Sequence, residues 1–329
     1  MLNEAIISFA ASFLITLICG KKLIPVLKSI KMGQKILDIG PRWHKSKEGT
    51  PTMGGLTFII AVTFTVLGFG IYTVARHGVS NIKILCINYI FILLCGLVGF
   101  VDDYVKFVKK QNKGLSAGQK LILQFLSAAA YLFALKINSA LSTVIEFPFT
   151  DATVDLGIFY YILLMAGIVF TVNSVNLTDG IDGLAASVSA VAVLFFAVVC
   201  YKAGYEQPMV LCCAVFGGCA AFLVYNFHPA KVFMGDTGSL FLGGVVSVAA
   251  LWIGKPVLLA FVGFIYFVES ASVILQVLSY KLFGKRIFKM SPIHHHFEMC
   301  GWSEIKIVFV FSCITAIMSA IGVYGFSIR

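Results

Sequence analysis

Charge is scarce in this sequence: of 329 residues only 12% are Asp, Glu, Lys or Arg, and just 15 are acidic. A soluble domain carries about 25% charge and about 45 to 50% apolar residues. Here 59% are hydrophobic and the mean hydropathy is +0.95. No soluble core takes in that much apolar surface, which excludes a soluble enzyme, including one held by a single anchor. No CxxC pair or metal-type spacing occurs among the nine cysteines. Cys19, Cys86, Cys95, Cys200, Cys212, Cys213, Cys219 and Cys313 lie in or at the ends of apolar runs and only Cys300 in a polar loop. They read as small packing residues rather than a disulfide framework. There is no Walker A string, which disfavours an ATP-driven pump, and no EF-hand loop. Low-complexity stretches, Ser/Pro linkers and internal repeats are also missing, so residues 1–329 read as one polytopic membrane domain.

What is present is a series of apolar runs of about 17 to 25 residues, each long enough to cross a hydrocarbon core of about 30 Å as a helix. Ten spans are predicted, at 5–27, 53–76, 83–101, 119–138, 156–173, 183–201, 209–226, 238–254, 256–279 and 305–326. The first lacks a basic n-region and a small-residue cleavage site, and is read as a retained helix rather than a signal peptide. The fold class is therefore all-α integral membrane.

A formal charge of +10 could suggest nucleic acid, but its distribution points to a bilayer instead. If alternate loops share a side, one side collects 19 of the 25 Lys and Arg: Lys21, Lys22, Lys28, Lys31, Lys35, Arg42, Lys45 and Lys47, then Lys106, Lys109, Lys110, Lys113 and Lys120, then Lys231, then Lys281, Lys285, Arg286, Lys289 and Lys306. The other keeps Arg76, Lys83, Lys136, Lys202, Lys255 and Arg329. The bias sets the first side in the cytoplasm and both termini outside, with no nucleic-acid partner. The longest polar inserts, 28–52, 102–118 and 280–304, are then cytoplasmic, and a functional cleft is expected on that face.

Five of the few acidic residues, Asp102, Asp103, Asp179, Asp182 and Asp236, fall at cytoplasmic ends of different predicted spans. Each Asp near a membrane core costs up to about 2.5 to 3.5 kcal/mol, so a cluster needs a lysine, a metal or a wet cavity to compensate. Asp102 and Asp103, adjacent on a helix, point roughly 100° apart and cannot serve one atom alike. Lys106 lies within a turn of both, either as an ordinary ion pair or as an ammonium for a phosphate. In NSVNLTDGIDGLA, the residues Asn173, Asn176, Asp179 and Asp182 recur every three positions, a polar stripe along one helical edge. Asp236, close to Gly235 and Gly238, either caps the next helix or faces a phosphate or metal. His294, His295 and His296 are consecutive, so their rings diverge, which favours hydrogen bonding or proton handling over zinc. An Asp/Asn oxygen set among lysines suits Mg2+ bridging a pyrophosphate, and the membrane position implies that one substrate is a lipid.

The strings HKSKEGTPTMGG, GFVDDYVKF, NSVNLTDGIDGLA, NFHPAKVFMGDTGSL and KMSPIHHHFE resemble the signature of the polyprenyl-phosphate N-acetylhexosamine-1-phosphate transferase superfamily. TPTMGG and HHHFE resemble its phospho-N-acetylmuramoyl-pentapeptide transferase family in particular. The likeness runs from about residue 42 to 298 and touches all five cytoplasmic loops. It implies ten helices, a homodimer in the bacterial cell membrane, and Mg2+-dependent transfer of phospho-MurNAc-pentapeptide from UDP-MurNAc-pentapeptide to undecaprenyl phosphate, giving lipid I and UMP. It also implies catalytic roles for Asp102, Asp103, Asp236 and His294, and metal binding by Asp236 and Asn176. Lys106, Lys120, Asn176, Asp179, Asp182, Asn226, Phe233, His295 and His296 would line the nucleotide and phosphate pocket, with Phe233 stacking on uracil.

Asp102 could take a proton from the lipid phosphate, or a carboxylate could attack first and form a covalent intermediate. Direct attack is favoured, since a phosphate dianion is already a competent nucleophile. Two alternatives differ in chemistry: a relative that transfers GlcNAc-1-phosphate to undecaprenyl phosphate, and an anion transporter. Transport would place polar groups at the midplane on both sides of a repeat, whereas here they gather at helix ends on one face.

Overall fold

The computed structural model describes residues 1–30, 47–109, 111, 113–150 and 152–327. Lys31, Lys35, Arg42 and Lys45 of the first basic loop, together with Lys110 and Arg329, lie outside the described residues. Twelve helices follow in order: α1 (Leu2–Ser29), α2 (Leu56–His77), α3 (Lys83–Val108), α4 (Ala117–Ile137), α5 (Ile158–Thr178), α6 (Leu184–Ala203), α7 (Glu206–Asn226), α8 (Gly235–Trp252), α9 (Leu258–Val262), α10 (Phe264–Phe283), α11 (Ile293–Glu298) and α12 (Glu304–Ser327). Among the described residues, ten helices are long and apolar enough to cross a membrane; α9 and α11 are the short exceptions. Between α4 and α5 a two-stranded antiparallel hairpin, β1 (Val144–Glu146) and β2 (Thr153–Asp155), pairs Ile145 with Val154.

The core is built around α8, in which every residue from Thr237 to Leu251 is buried. A helix apolar on all sides belongs at the centre of a bundle, and α3, α5 and α6 surround it. Small residues set how closely the helices approach. A Cβ added at Gly99 of α3 would lie 2.1 Å from the Asp236 carbonyl oxygen, so only glycine admits the first turn of α8 at that point. On the opposite flank, α1 buries Ala5, Ser8, Ser12, Thr16 and Gly20 as it packs along α7. Ser116 opens α4 with a capping box: its hydroxyl accepts from Gln119 N at 3.2 Å, and the Gln119 side chain accepts from Ser116 N at 3.0 Å. Lys120 follows one residue later.

Three boundaries depart from the sequence reading, each with a physical reason. The third span does not stop at residue 101; α3 continues to Val108 and carries Asp102, Asp103 and Lys106 on unbroken helix. The polar stripe at 173–182 is not one helical edge, because α5 ends at Thr178, Asp179 is its C-cap, and Gly183 turns left-handed with φ 78°. Asp182 therefore points into a different set of partners from Asn176. The span expected at 256–279 is two helices meeting at Gly263. α10 is buried only in its first half, at Ile265, Tyr266, Glu269, Ser270 and Ser272, and its far end leaves Leu282 and Phe283 exposed.

Candidate active site

A cavity of about 250 Å3 opens where the ends of α3, α5, α7 and α8 converge, and its lining is mostly polar: Lys47, Thr52, Asp103, Lys106, Asn176, Asp179, Asp182, Asn226, Phe233 and Asp236, with Gly180, Ile181 and Gly235. Eight of the residues that the sequence singled out on separate segments, Asp103, Lys106, Asn176, Asp179, Asp182, Asn226, Phe233 and Asp236, thus face one space.

At its base is a carboxylate cluster held by two ammoniums. Oxygens of Asp102, Asp103 and Asp236 lie within 4.8 Å of one another. Lys106 Nζ reaches Asp102 Oδ2 at 2.7 Å, Asp236 Oδ2 at 3.0 Å and Asp103 Oδ1 at 3.3 Å. Lys120 Nζ reaches the same Asp236 oxygen at 2.7 Å and Asp102 Oδ1 at 3.5 Å. Helix geometry explains the convergence: Lys106 is one turn beyond Asp102 on α3, and Asp236 is in the first turn of α8, which Gly99 lets in against that helix.

The two adjacent aspartates differ in their commitments. Asp103 Oδ2 accepts from both Thr237 N, at 2.9 Å, and Thr237 Oγ1, at 2.8 Å, so a residue of α3 caps the N-terminus of α8. Asp102 Oδ1 accepts from Leu115 N at 2.8 Å and ties the α3–α4 loop down. Asp102 is 1% exposed and not part of the cavity lining. Asp236 Oδ1 accepts from Asn176 Nδ2 at 2.9 Å, and the same nitrogen lies 2.8 Å from Ser239 Oγ.

The oxygen set suits a hard divalent cation, because three carboxylates from two helices present oxygens at close range beside the cavity. Asp236 and Asp103, which both line the cavity, could hold such a cation. Asn176 would join only by turning its amide, since it is the nitrogen that faces Asp236. Asp179, half-buried at the end of α5, has its carboxyl pushed up to about 8 by burial, reinforced by the charges of Asp236, Asp103 and Asp182.

A second polar cluster braces the opposite wall. Lys47 Nζ pairs with Asp182 Oδ1 at 2.7 Å and with Glu304 Oε1 at 2.6 Å, and Glu304 Oε2 accepts from Asp182 N at 2.9 Å. Asp182 Oδ2 accepts from Ala230 N and meets His228 Nδ1, both at 3.0 Å. Asn226 spends its amide on the backbone, accepting from Gly183 N at 3.2 Å and donating to Val232 O at 2.9 Å. Both residues line the cavity, yet they hold its wall together. Phe233, also on the wall, is fixed by its backbone, donating to Pro51 O and accepting from Gly54 N, both at 2.8 Å.

The three histidines take separate partners and lie off the cavity lining, but the rings of His294 and His295 do not diverge as expected: their centroids are 4.1 Å apart. His294 is fully buried with Nδ1 3.0 Å from Glu269 Oε1, His295 Nδ1 is 2.6 Å from Glu298 Oε2, and His296 Nδ1 accepts from Lys289 N at 3.1 Å. Sequence reasoning missed Lys47 as more than a topology charge, and missed Glu304, His228 and Glu269 altogether. A signal existed for Glu269, a lone carboxylate in the apolar run FIYFVESASV. Glu304 sits at the start of α12 with no motif around it, and offered none.

Residues 85–254 match glycosyl transferase family 4. The chain is 46% identical over 317 residues to the phospho-N-acetylmuramoyl-pentapeptide-transferase of Clostridium novyi (strain NT), covering 96% of this chain and 95% of that one. It is 45% identical over 332 residues to the protein of the same name from Caldanaerobacter subterraneus subsp. tengcongensis, covering 99% and 100%. The Geobacillus kaustophilus protein of that name is 43% identical over 322 residues, covering 97% of each. With near-complete coverage on both sides and a buried acidic cluster inside the matched region, the chain belongs to glycosyl transferase family 4, within its phospho-N-acetylmuramoyl-pentapeptide-transferase group.

Proposed function

We propose that the protein transfers phospho-MurNAc-pentapeptide from UDP-MurNAc-pentapeptide to undecaprenyl phosphate, forming lipid I and UMP for peptidoglycan synthesis, at the cytoplasmic face of the bacterial membrane. The observation that carries this reading is Asp236 Oδ2 with two lysines on it, Lys120 at 2.7 Å and Lys106 at 3.0 Å, in a polar cavity at the ends of apolar helices. A pair of ammoniums held beside carboxylates at a membrane boundary suits a water-soluble pyrophosphate meeting a lipid-borne phosphate.

An oxygen of the acceptor phosphate forms the new bond to the sugar-bearing phosphorus while the bond from that phosphorus to the bridging oxygen breaks, and its electron pair leaves with UMP. Lys106 and Lys120 shift from carboxylate to phosphoryl oxygens as charge develops there, which is positioning plus electrostatic stabilisation. The commitments of Asp102 and Asp103 favour this direct displacement. To attack phosphorus, Asp102 would abandon Leu115 N or Lys106, and Asp103, whose Oδ2 holds the cap on α8, would give up the Lys106 ammonium on Oδ1. Mg2+, when bound by Asp236 and Asp103, supplies further positive charge to the phosphate oxygens. Phe233 offers a ring to uracil, and Asp179, protonated over much of the neutral range, can donate a hydrogen bond to a nucleotide acceptor.

The bias of 19 to 6 in basic residues supports a cytoplasmic cavity and external termini, and the family resemblance supports a homodimer, which the mass of the detergent-solubilised protein tests. The central experiment measures UMP release from UDP-MurNAc-pentapeptide with undecaprenyl phosphate, with and without a chelator, and with UDP-GlcNAc as the competing donor. Asp236→Asn should lower kcat by about 100-fold or more. Full activity in that variant, or in chelator, overturns the metal assignment, and preference for UDP-GlcNAc overturns the donor.

A further inference from the structure

We propose that Glu269 is a positioning residue for the transfer: it holds His294 as the Nδ1–H tautomer, so that Nε2 keeps a bare lone pair directly behind Gly180 of the cavity wall. The inference rests on the transferase reading and extends it to a helix that the carboxylate cluster does not touch.

Glu269 is a carboxylate in membrane helix α10 and His294 lies in the first turn of the short helix α11; neither has any exposed side-chain surface. An acidic side chain at such a place costs free energy unless a partner takes up its hydrogen-bonding capacity. Glu269 Oε1 lies 3.0 Å from His294 Nδ1, and its other oxygen faces the His294 backbone N–H at 3.5 Å. A carboxylate offers only acceptor atoms to this ring, so Nδ1 carries the hydrogen and Nε2 is left as the acceptor.

Where that acceptor points decides the inference. His294 Nε2 is buried and has no hydrogen-bond partner among the described residues. It faces Gly180, a lining residue without a side chain, and a Cβ added there would fall 2.1 Å from Nε2. Gly180 lies between Asp179 and Ile181, which line the same cavity as Asp103, Asp236 and Lys106. The nitrogen therefore stands directly behind Gly180 of the cavity wall, the one kind of residue that lets a ring come so close. The neighbouring ring is fixed as well: His295 packs against His294 with centroids 4.1 Å apart and its Nδ1 meets Glu298. Two His–carboxylate contacts in one short helix leave the His294 ring little freedom to rotate.

An orphan acceptor of this kind suits a ligand O–H or N–H, such as a protonated phosphate or a sugar or peptide donor, and is ill matched to a fully ionised phosphate. With Glu269 behind it, the ring can take the proton of such a group, which moves to Nε2 while its bonding pair stays on the ligand oxygen or nitrogen. The carboxylate then faces the charged ring across the Nδ1 hydrogen bond, the orienting geometry of a base held by a third group.

The test starts from the intact chain in micelles, labelled with ring-15N histidine. With six histidines in the sequence, the His294 signals are identified by their loss in His294→Gln. The expected result is Nδ1 protonated and Nε2 not; a proton on Nε2 in the neutral ring overturns the inference whatever any variant does. The kinetic arm uses Glu269→Gln, which should lower kcat by about 100-fold while the KM for UDP-MurNAc-pentapeptide stays within about twofold. In a His294→Gln background the same change should alter kcat by less than about twofold, because the residue acts through the ring. An equal loss in both backgrounds marks Glu269 as mere scaffold and refutes the positioning role. No UMP release by the parent chain is a failure of the transferase reading, whereas the wrong tautomer in an active parent is a failure of this one.

Discussion

Replacing Lys47 by Met should loosen one wall of the cavity without touching the carboxylate cluster. The Lys47 side chain is 14% exposed and bridges two carboxylates that are themselves nearly buried, Asp182 at 2% and Glu304 at 8%. Removing one partner from such a bridge costs about 3 to 5 kcal/mol, because the remaining charges stay desolvated. Asp182 keeps Ala230 N and His228, and Glu304 keeps Asp182 N, so the lower end, about 3 kcal/mol, is expected. At about 1.4 kcal/mol per factor of ten, the local opening equilibrium should rise by roughly 100-fold. The amides that report it are Asp182 N, which donates to Glu304, and Ala230 N, which donates to Asp182. Hydrogen exchange followed by mass spectrometry on the peptides covering 179–184 and 228–231 reads both. Adding Glu304→Gln removes one of the two stranded charges and should recover at least half of the lost protection on a logarithmic scale. If Lys47→Met changes exchange at these amides by less than about twofold, the bridge is not what holds the wall, and the argument fails.

Three further outcomes follow from the same geometry. Gly99→Ala puts a Cβ 2.1 Å from the Asp236 carbonyl oxygen; α3 and α8 must separate, and UMP release should fall by at least about tenfold with a lowered thermal midpoint, an overpacking cost of about 1 to 3 kcal/mol. Asp179 holds its proton to a pH of about 8 when folded but only to about 3.8 when unfolded. Between those limits the native state binds the extra proton, so stability is fully present below the lower value and is lost as pH rises through the upper, by up to about 1.4 kcal/mol per unit. The thermal midpoint of the metal-free protein should fall from pH 5 to 8 and level off above, and Asp179→Asn should flatten that slope; an unchanged slope rejects the shifted proton. Phe233→Ala should weaken UDP-sugar binding by about tenfold or more, as loss of an aromatic platform of about 1.5 kcal/mol does, while Mg2+ affinity holds; calorimetry with each ligand separates the two.

The fold was legible because the bilayer allows few alternatives: an apolar run of sufficient length must be a helix that satisfies its own backbone. Ten predicted spans meet ten long apolar helices among the described residues. The misread boundaries are those where polar residues extend a helix or glycine stops one. Lys106 and its aspartates lie on α3 past its last apolar turn, where hydropathy falls while the helix continues. Gly263 divides the ninth span without any change in hydropathy, and Gly180 and Gly183 release Asp182 from the α5 stripe into a cluster with Lys47 and Glu304. A period of three is a pattern on a helix only while the helix lasts.

The site was legible in its residue types and not in its bonding. Asp103 shows why. Its charge at the end of an apolar run marks it as exceptional in sequence, and the cavity does contain it. Yet its Oδ2 is occupied by Thr237, 134 positions away, and nothing near residue 103 announces that a helix begins there. The contact depends on Gly99 one turn earlier, which brings the Asp236 backbone against α3, and so the same approach sets Asp236 Oδ2 at 3.0 Å from Lys106. Cap and charge cluster are two consequences of one helix crossing. A variant that damages Asp103 therefore shifts Asp236 and Lys106 together, and loss of activity in it cannot by itself assign Asp103 a part in bond making. Thr237→Val separates the roles: it removes one of the two hydrogen bonds to Asp103 Oδ2 and deletes no carboxylate, so the activity it loses measures the hydroxyl's share of the cap.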